Sequence, residues 1–140
     1  MTDLGSLARR SGRPEHGKAA SGPSGDAALR AAPFAAVAPT RLVGLPRVDV
    51  RLVGHGDSKA LVAVYGHGLG AILVVEHAGH SGGPLGVLRA LPAVSLDGVT
   101  AHELATQLGT ALTWKRNGVS FVLAGSVPPA AAEAAARALR

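Results

Sequence analysis

The sequence contains no cysteine among its 140 residues. This absence excludes a disulfide scaffold, a thiolate zinc site and a cysteine nucleophile. Aromatic residues are also scarce, since only Trp114, Tyr65, Phe34 and Phe121 occur. Hydrophobic residues make up 47% of the chain and charged residues 16%, which is too apolar a composition for a chain disordered throughout. Most of the apolar residues are alanine, valine and leucine, which predicts a core of small side chains.

Long hydrophobic runs are missing as well. The first thirty residues mix charges with glycine and proline, and they lack the continuous apolar segment of a secretory signal. A long uncharged stretch, Ala60 to Val75, is interrupted by three glycines. As a helix it would reach about 24 Å, which is short of a bilayer core of about 30 Å. The sequence therefore predicts neither a signal peptide nor a membrane span, and a cytoplasmic location if the chain is complete.

Positive charge exceeds negative charge in this chain, with 14 Lys and Arg against 9 Asp and Glu. Four of the basic residues, Arg9, Arg10, Arg13 and Lys18, lie close together near the N-terminus. No aromatic residue accompanies them, although nucleic-acid readers usually combine basic charge with stacking side chains. A solvated basic tail is the favoured interpretation. A cytosolic nucleic-acid-associated protein that uses this tail is the alternative function.

The chain divides by composition into a tail and a domain. Residues 1–39 are rich in glycine, serine, alanine and proline, which predicts a disordered tail with at most a short helix over Ala27–Ala32. Residues 40–140 form the predicted domain. Its first strand is Arg47–Val53, where apolar and charged residues alternate as in a strand with one wet face.

Two central segments, Ala60–Tyr65 and Ala71–Val75, are apolar at every position. They are short, bounded by glycines and rich in β-branched residues, so they predict two buried strands joined by a turn at Gly66–Gly70. A strand that is apolar on both faces has to be covered on both faces. The functional expectation for this protein depends on that requirement.

Two dipeptides, Asp97-Gly98 and Asn117-Gly118, predict hairpin turns. Folding about the second sets Trp114 opposite Phe121 and Leu112 opposite Leu123, all on one face. Residues 102–108 fit either a helical turn or a continuing strand. The final segment predicts a helix over residues 130–139, because two prolines precede a run of strong helix formers; Ser126 or Val127 would cap it.

Two glycine-rich segments suggest chemistry that their surroundings do not support. Gly79–Leu85 is similar to the segment around the nucleophile of trypsin-like serine proteases, with Ser81 in the place of the nucleophile. His80 stands where that family has aspartate, and no segment upstream supplies the base that a serine needs. A serine hydrolase at Ser81 is therefore the least favoured alternative. Gly66–Gly70 has the wrong glycine spacing for a nucleotide-binding loop and leads into a strand.

For the histidines, a structural role is favoured over a functional site. His67, His77 and His80 have only Glu76 as an acidic companion, so surface histidines are favoured over metal ligands. His102 lies beside Glu103 without a nucleophile at a motif spacing.

For Trp114 and Phe121, packing in the core is favoured over a stacking platform for a ligand. We nominate no catalytic, cofactor-binding or metal-binding residue, and we expect neither a cofactor nor enzymatic activity.

From about Pro39 to Arg140, the order of segments resembles the C-terminal half of a bacterial extracytoplasmic family. That family comprises actinobacterial LolA-like lipoprotein-sorting proteins and RseB/MucB-like sigma-factor regulatory proteins. The segments that carry the resemblance are Leu45–Arg51, Val64–Gly70, Leu96–Val99, Leu108–Trp114, Gly118–Pro128 and Ala134–Leu139. Together they span about two thirds of the chain.

The resemblance implies a strongly curved antiparallel sheet with helices in its concavity. It also implies a non-catalytic protein, extracytoplasmic or membrane-associated, that binds an acyl chain of a lipoprotein or contacts a membrane-bound anti-sigma factor. The family has a further N-terminal half of the sheet, so a truncated chain or one that needs a partner is expected. The complete fold prediction is an α+β domain of five to six antiparallel strands with a C-terminal helix packed on one face.

Overall fold

The computed structural model describes residues 22–79 and 90–140 of the chain. Within these ranges, eight strands and two α-helices are present. The strands are β1 (Arg41–Leu42), β2 (Leu45–Val53), β3 (Ala60–Tyr65), β4 (Ile72–Ala78), β5 (Ala93–Leu96), β6 (Val99–Thr106), β7 (Gly109–Arg116) and β8 (Val119–Gly125). The helices are α1 (Asp26–Ala31) and α2 (Pro129–Ala138).

All eight strands form one antiparallel sheet in the order β1-β2-β3-β4-β8-β7-β6-β5. The sheet therefore consists of two four-stranded meanders, which meet where β4 pairs with β8. It curls into a half-barrel and carries α2 on one side, which confirms the predicted α+β class. The described ranges hold more strands than the five to six expected. One addition is β1, because two residues are too few to show an alternation in the sequence.

The predicted hairpins form with the expected partners. Trp114 pairs with Phe121 and Leu112 with Leu123, as the Asn117-Gly118 turn requires. The two aromatic rings are stacked, with centroids 5.0 Å apart and planes inclined by 2°. Asn117 has φ of 52° and Gly118 of 76°, both in the left-handed region that suits a type I′ turn.

Two local predictions are resolved by the structure. The segment that fitted either helix or strand is strand, since β6 continues to Thr106 and pairs there with Gly109. The final helix begins at Pro129 with Pro128 as its N-cap, later than the predicted caps Ser126 and Val127. No side chain caps this helix. Proline at its first positions fixes φ at a helical value and has no N–H group that would need an acceptor.

One face of the sheet, which we call the closed face, is covered by the rest of the described chain. Its buried side chains are Val50, Leu52, Leu61, Ala63, Tyr65, Ile72, Val74, Leu112, Trp114, Phe121 and Leu123. Helix α2 packs its alanines at 132, 135 and 136 and Leu139 into the same core. The small alanine side chains allow the helix to approach the sheet closely.

The packed part of the chain begins earlier than the start near Thr40 that the composition suggests. Helix α1 buries Ala28 completely in the core. Before the helix, the backbone of Gly25 donates to Val50, and Leu52 donates to Pro23, so this segment extends the edge of β2. Such backbone pairing leaves no periodic signal in a stretch rich in glycine and proline. The tail prediction for residues 1–21 lies outside the described residues.

Candidate functional site

The second side of the sheet, which we call the open face, is apolar but only partly buried. Its central side chains, called the aliphatic strip, are Val62, Val64, Leu73, Val75, Leu104, Ala111, Val122 and Ala124. Leu73 and Leu104 are 40% and 43% exposed, whereas the opposite face of the central strands β3, β4, β7 and β8 is almost completely buried. Both helices in the described ranges pack on the closed face, so neither covers the strip.

Strand register joins these side chains into two continuous rows. One row runs from Val64 through Leu73, Ala124 and Ala111 to Leu104. The other row runs from Val62 through Val75 and Val122 to Thr113. Directly opposed residues in such pairs have their Cβ atoms about 4.5–5.5 Å apart. The strip therefore crosses both meanders as one apolar surface.

Charged residues on the open face lie beyond the strip. On β2, Arg51 donates to Asp49 at 3.0 Å, and both side chains are about half exposed. On β7, Lys115 is exposed and pairs with Ser120. From β3 to β7 the two rows contain no ionisable residue, and the second row ends where Thr113 pairs with His102 on β6. A contiguous apolar patch rimmed by polar residues is typical of an interaction surface.

A shallow cavity lies at one end of the strip, where β6 turns into β7. Its volume is about 230 Å³, and its lining includes Leu104, Leu108, Ala111 and Ala124. A second cavity of about 340 Å³ lies on the other side of the same turn, against Val127 and the following prolines. Pockets for drug-sized ligands measure about 300–1,000 Å³. The first cavity is smaller than this range and the second lies near its lower limit, so neither is large for a long hydrocarbon.

The closed face holds one acidic residue, Glu76, that is completely buried. Its Oε1 accepts a hydrogen bond from the Val37 amide at 2.7 Å, while Oε2 has no partner. Burial away from water raises the pKa of Glu76 to about 7, although the Val37 amide favours the charged form and opposes this rise. The side chain therefore changes charge near neutral pH.

Residues 33–40, which we call the strap, link α1 to β1 across the closed face. Sheet side chains hold the backbone of the strap: Arg47 donates to the carbonyl of Ala38 at 2.5 Å, and Tyr65 donates to that of Pro39 at 2.9 Å. Burial raises the pKa of Tyr65 to about 12; Arg47 lowers it and Glu76 raises it by smaller amounts. The strap and α2 together occupy the closed face, which leaves the open face as the candidate binding surface.

The structure keeps the candidate metal ligands apart. His67 lies in the turn before β4, and His77 lies near the end of that strand on the open face. Glu76 precedes His77 directly and therefore points to the closed face. Within residues 22–79 and 90–140, no group of three His, Cys, Asp or Glu side chains could hold a metal ion. His80 and Ser81, with the hydrolase hypothesis that rests on Ser81, lie outside the described residues.

The structure also places His102 and Glu103 on opposite faces of the sheet. His102 faces outward, where its Nδ1 lies 3.0 Å from the carbonyl oxygen of Leu91. Glu103 faces inward, because neighbouring strand residues point to opposite faces. Trp114 and Phe121 are both buried in the core, as their predicted packing role requires.

Sequence reasoning did not single out the buried role of Glu76. The available signal was a carboxylate at the end of an apolar strand, which by itself fits an exposed strand end equally well. Its partner, the Val37 amide, is 39 residues away in sequence. Only the path of the strap brings the two groups together.

Neither helix of the described residues is long and apolar enough to cross a membrane. Comparison of the chain with protein-family models, with curated proteins and with solved structures gives no match in any of the three. The resemblance to LolA-like and RseB/MucB-like proteins therefore remains a prediction.

Proposed function

We propose that this protein is a non-catalytic binding module whose aliphatic strip binds the apolar surface of a partner protein. The supporting observation is the difference between the two faces of the same strands. The closed face is buried by the strap and α2, whereas the strip stays partly exposed. Complete burial of a fully exposed aliphatic side chain contributes about 1.5–3 kcal/mol, and covering the partly exposed side chains of the strip would contribute a fraction of this for each.

The shape of the strip favours a protein surface over an acyl chain. Its middle consists of short valine and alanine side chains on neighbouring strands, which form a broad, shallow surface. A helix or a second sheet with an apolar face packs well on such a surface. The two cavities beside it, of about 230 and 340 Å³, offer little enclosure to a long hydrocarbon. A membrane-bound anti-sigma factor, the partner that the resemblance implies, would offer such a protein surface.

The nucleic-acid alternative receives no comparable support. It rests on Arg9, Arg10, Arg13 and Lys18, which lie outside the described residues. Of the aromatic rings, Trp114, Phe121 and Tyr65 are buried, so they offer no stacking surface.

The test uses a model amphipathic helix with a leucine face, an unrelated helix of the same charge without that face, and palmitate. Binding of each to the full chain is measured by displacement of a dye that reports exposed apolar surface. We expect the leucine-faced helix to bind. The double substitution Val75→Thr and Val122→Thr should weaken it by about tenfold or more, because each hydroxyl must give up water on binding.

Val53→Thr serves as the matched control, because this residue is 37% exposed at the margin of the open face. It should leave the affinity for the helix unchanged within about twofold. Equal affinity for both helices, or binding that ignores the double substitution, contradicts the proposal. Binding of palmitate alone, lost in the double variant, would assign the strip to an acyl chain instead.

A further inference from the structure

The turns at the two ends of the sheet differ in the side chains they expose. At one end, which we call the apolar end, the β1–β2, β3–β4 and β6–β7 turns carry Val43, Leu69 and Leu108. Val43 is 45% exposed, and the two leucines are 87% and 86% exposed. The two leucine side chains therefore bury little of their surface against the rest of the described protein. Their aliphatic character is therefore not explained by folding.

The opposite end provides an internal comparison within the same sheet. Its turns are residues 54–59 between β2 and β3, Asp97-Gly98 between β5 and β6, and Asn117-Gly118 between β7 and β8. These turns expose charged and amide side chains, and Asp97 accepts from Arg140 at 2.7 Å. Polar residues are thus fully compatible with tight turns in this fold, as turn chemistry predicts. Among the turns that the structure describes, apolar tips occur at one end only.

Strand β1 and the three turns of the apolar end contain basic residues and no acidic one. Arg41, in the strand that leads into the first turn, and His67, in the second turn, are both exposed. The three turns, residues 43–44, 66–71 and 107–108, contain no aspartate or glutamate. The chain as a whole has a formal charge of +5. Apolar tips beside positive charge complement a surface that is negatively charged outside and apolar beneath.

We propose that the apolar end docks on an anionic lipid bilayer, with Leu69 and Leu108 inserted into its interfacial layer. Leucines that project singly from separate turns can enter a fluid surface without matching cavities, whereas a folded protein would need a pocket for each at the correct spacing. Burial of the aliphatic tips supplies the apolar contribution, and Arg41 lies near the headgroups. This inference goes beyond the proposed function, because it uses the turn tips and not the aliphatic strip.

Vesicle sedimentation tests the proposal with the full chain. Vesicles of phosphatidylglycerol and phosphatidylcholine in equal parts are compared with vesicles of phosphatidylcholine alone. We expect binding to the anionic vesicles that weakens with added salt. Substituting Leu69→Ser and Leu108→Ser should reduce it by about tenfold for each leucine.

The control is Val53→Ser, which replaces an exposed aliphatic residue at the other end of the sheet. It should bind vesicles like the unaltered protein. Thermal unfolding should be unchanged in the leucine variants, since both side chains are nearly fully exposed. Absence of vesicle binding, or equal binding by the double leucine variant, overturns the proposal. Sedimentation of that variant as a smaller species than the parent, without vesicle binding by either, would also overturn it and assign the tips to a protein contact.

A second measurement reports insertion directly. Leu69→Trp places an indole at the tip, while the native Trp114 stays in the core. Its emission should shift to shorter wavelength with anionic vesicles and be quenched by lipids brominated in the acyl chain. Binding without quenching would show surface adsorption and reject insertion. Because the strip variants Val75→Thr and Val122→Thr leave the tips intact, they should bind vesicles normally even if the strip proposal fails.

Discussion

At the scale of single residues, Glu76 is the least expected feature of this protein. A buried carboxyl is normally satisfied at both oxygens, but only Oε1 is bonded here. The nearby Arg47 directs its guanidinium to the Ala38 carbonyl and Asp26 and forms no ion pair with Glu76. Desolvation therefore determines the protonation of Glu76. This connects the stability of the fold to pH in the neutral range.

The first prediction concerns the pH dependence of the unfolding free energy. The pKa of Glu76 is about 7 in the folded protein against an ordinary 4.5, so the folded state binds the proton more tightly. This stabilisation is complete below about pH 4.5 and is lost as pH rises through 7, amounting to about 3 kcal/mol above neutrality. Urea unfolding at several pH values between about 4 and 9 should show the decline.

Glu76→Gln separates this effect from other titrations, because glutamine keeps the acceptor for the Val37 amide and cannot ionise. The variant should lose most of the decline and exceed the parent in stability at alkaline pH. Asp57→Asn, in an exposed turn, is the control and should retain the parental profile. A flat profile in the parent protein would contradict the assignment.

The second prediction concerns the hydroxyl of Tyr65, which donates to the carbonyl of Pro39 in the strap. Tyr65→Phe keeps the buried ring and leaves that carbonyl without its donor. We expect a loss of about 1–3 kcal/mol in the unfolding free energy. Amide exchange at residues 36–38 and at Thr40 should accelerate more than exchange in β8. Uniform acceleration across the sheet would mean that the strap is not held locally by this bond.

At the scale of elements, the hairpins were predictable from the sequence, whereas the pairing at the edge of the sheet was not. The Asn117-Gly118 turn and the pairing of Trp114 with Phe121 follow from local chemistry. A two-residue type I′ turn requires a positive φ at both central residues, which asparagine and glycine adopt readily. The edge contacts of β1 and of the segment before α1 depend on backbone hydrogen bonds. Such bonds are available to almost any sequence and therefore leave little trace in it.

The third prediction tests the junction of β7 with the end of β8. A Cβ at Gly109 would overlap the carbonyl oxygen of Gly125 and approach the Cα of Ser126 to 2.9 Å. Gly109→Ala should therefore destabilise the fold by about 3 kcal/mol, since the obstructing atoms are backbone. Gly70→Ala is the matched control, because a Cβ there meets nothing within 4 Å. Similar thermal unfolding temperatures for the two variants would contradict this account.

At the scale of the whole molecule, the two meanders share one core. The β4–β8 pairing joins them, and the core cluster extends from Ala28 to Leu139. Neither meander can bury its apolar closed face without the strap or α2. The described part of the molecule therefore has one shared core, and it exposes apolar side chains along the open face and at the apolar end.

The fourth prediction follows from this shared core. Urea unfolding should give the same midpoint when followed by Trp114 fluorescence, which reports the second meander, and by exchange protection of β3 amides, which reports the first. Coincident midpoints are expected because β4–β8 pairing and the common core must be lost together. Two separate transitions would show that the meanders fold as independent units.

The sequence by itself determined the local structure of this protein. Turn dipeptides, alternation and proline placement each act within about ten residues, so they specify hairpins, registers and the final helix. The tertiary structure alone decided that β4 pairs with β8, that Glu76 is buried under the strap, and that three aliphatic turn tips share one end of the sheet. These arrangements join residues far apart in the chain. Their energies depend on which surfaces meet, and no local pattern specifies that.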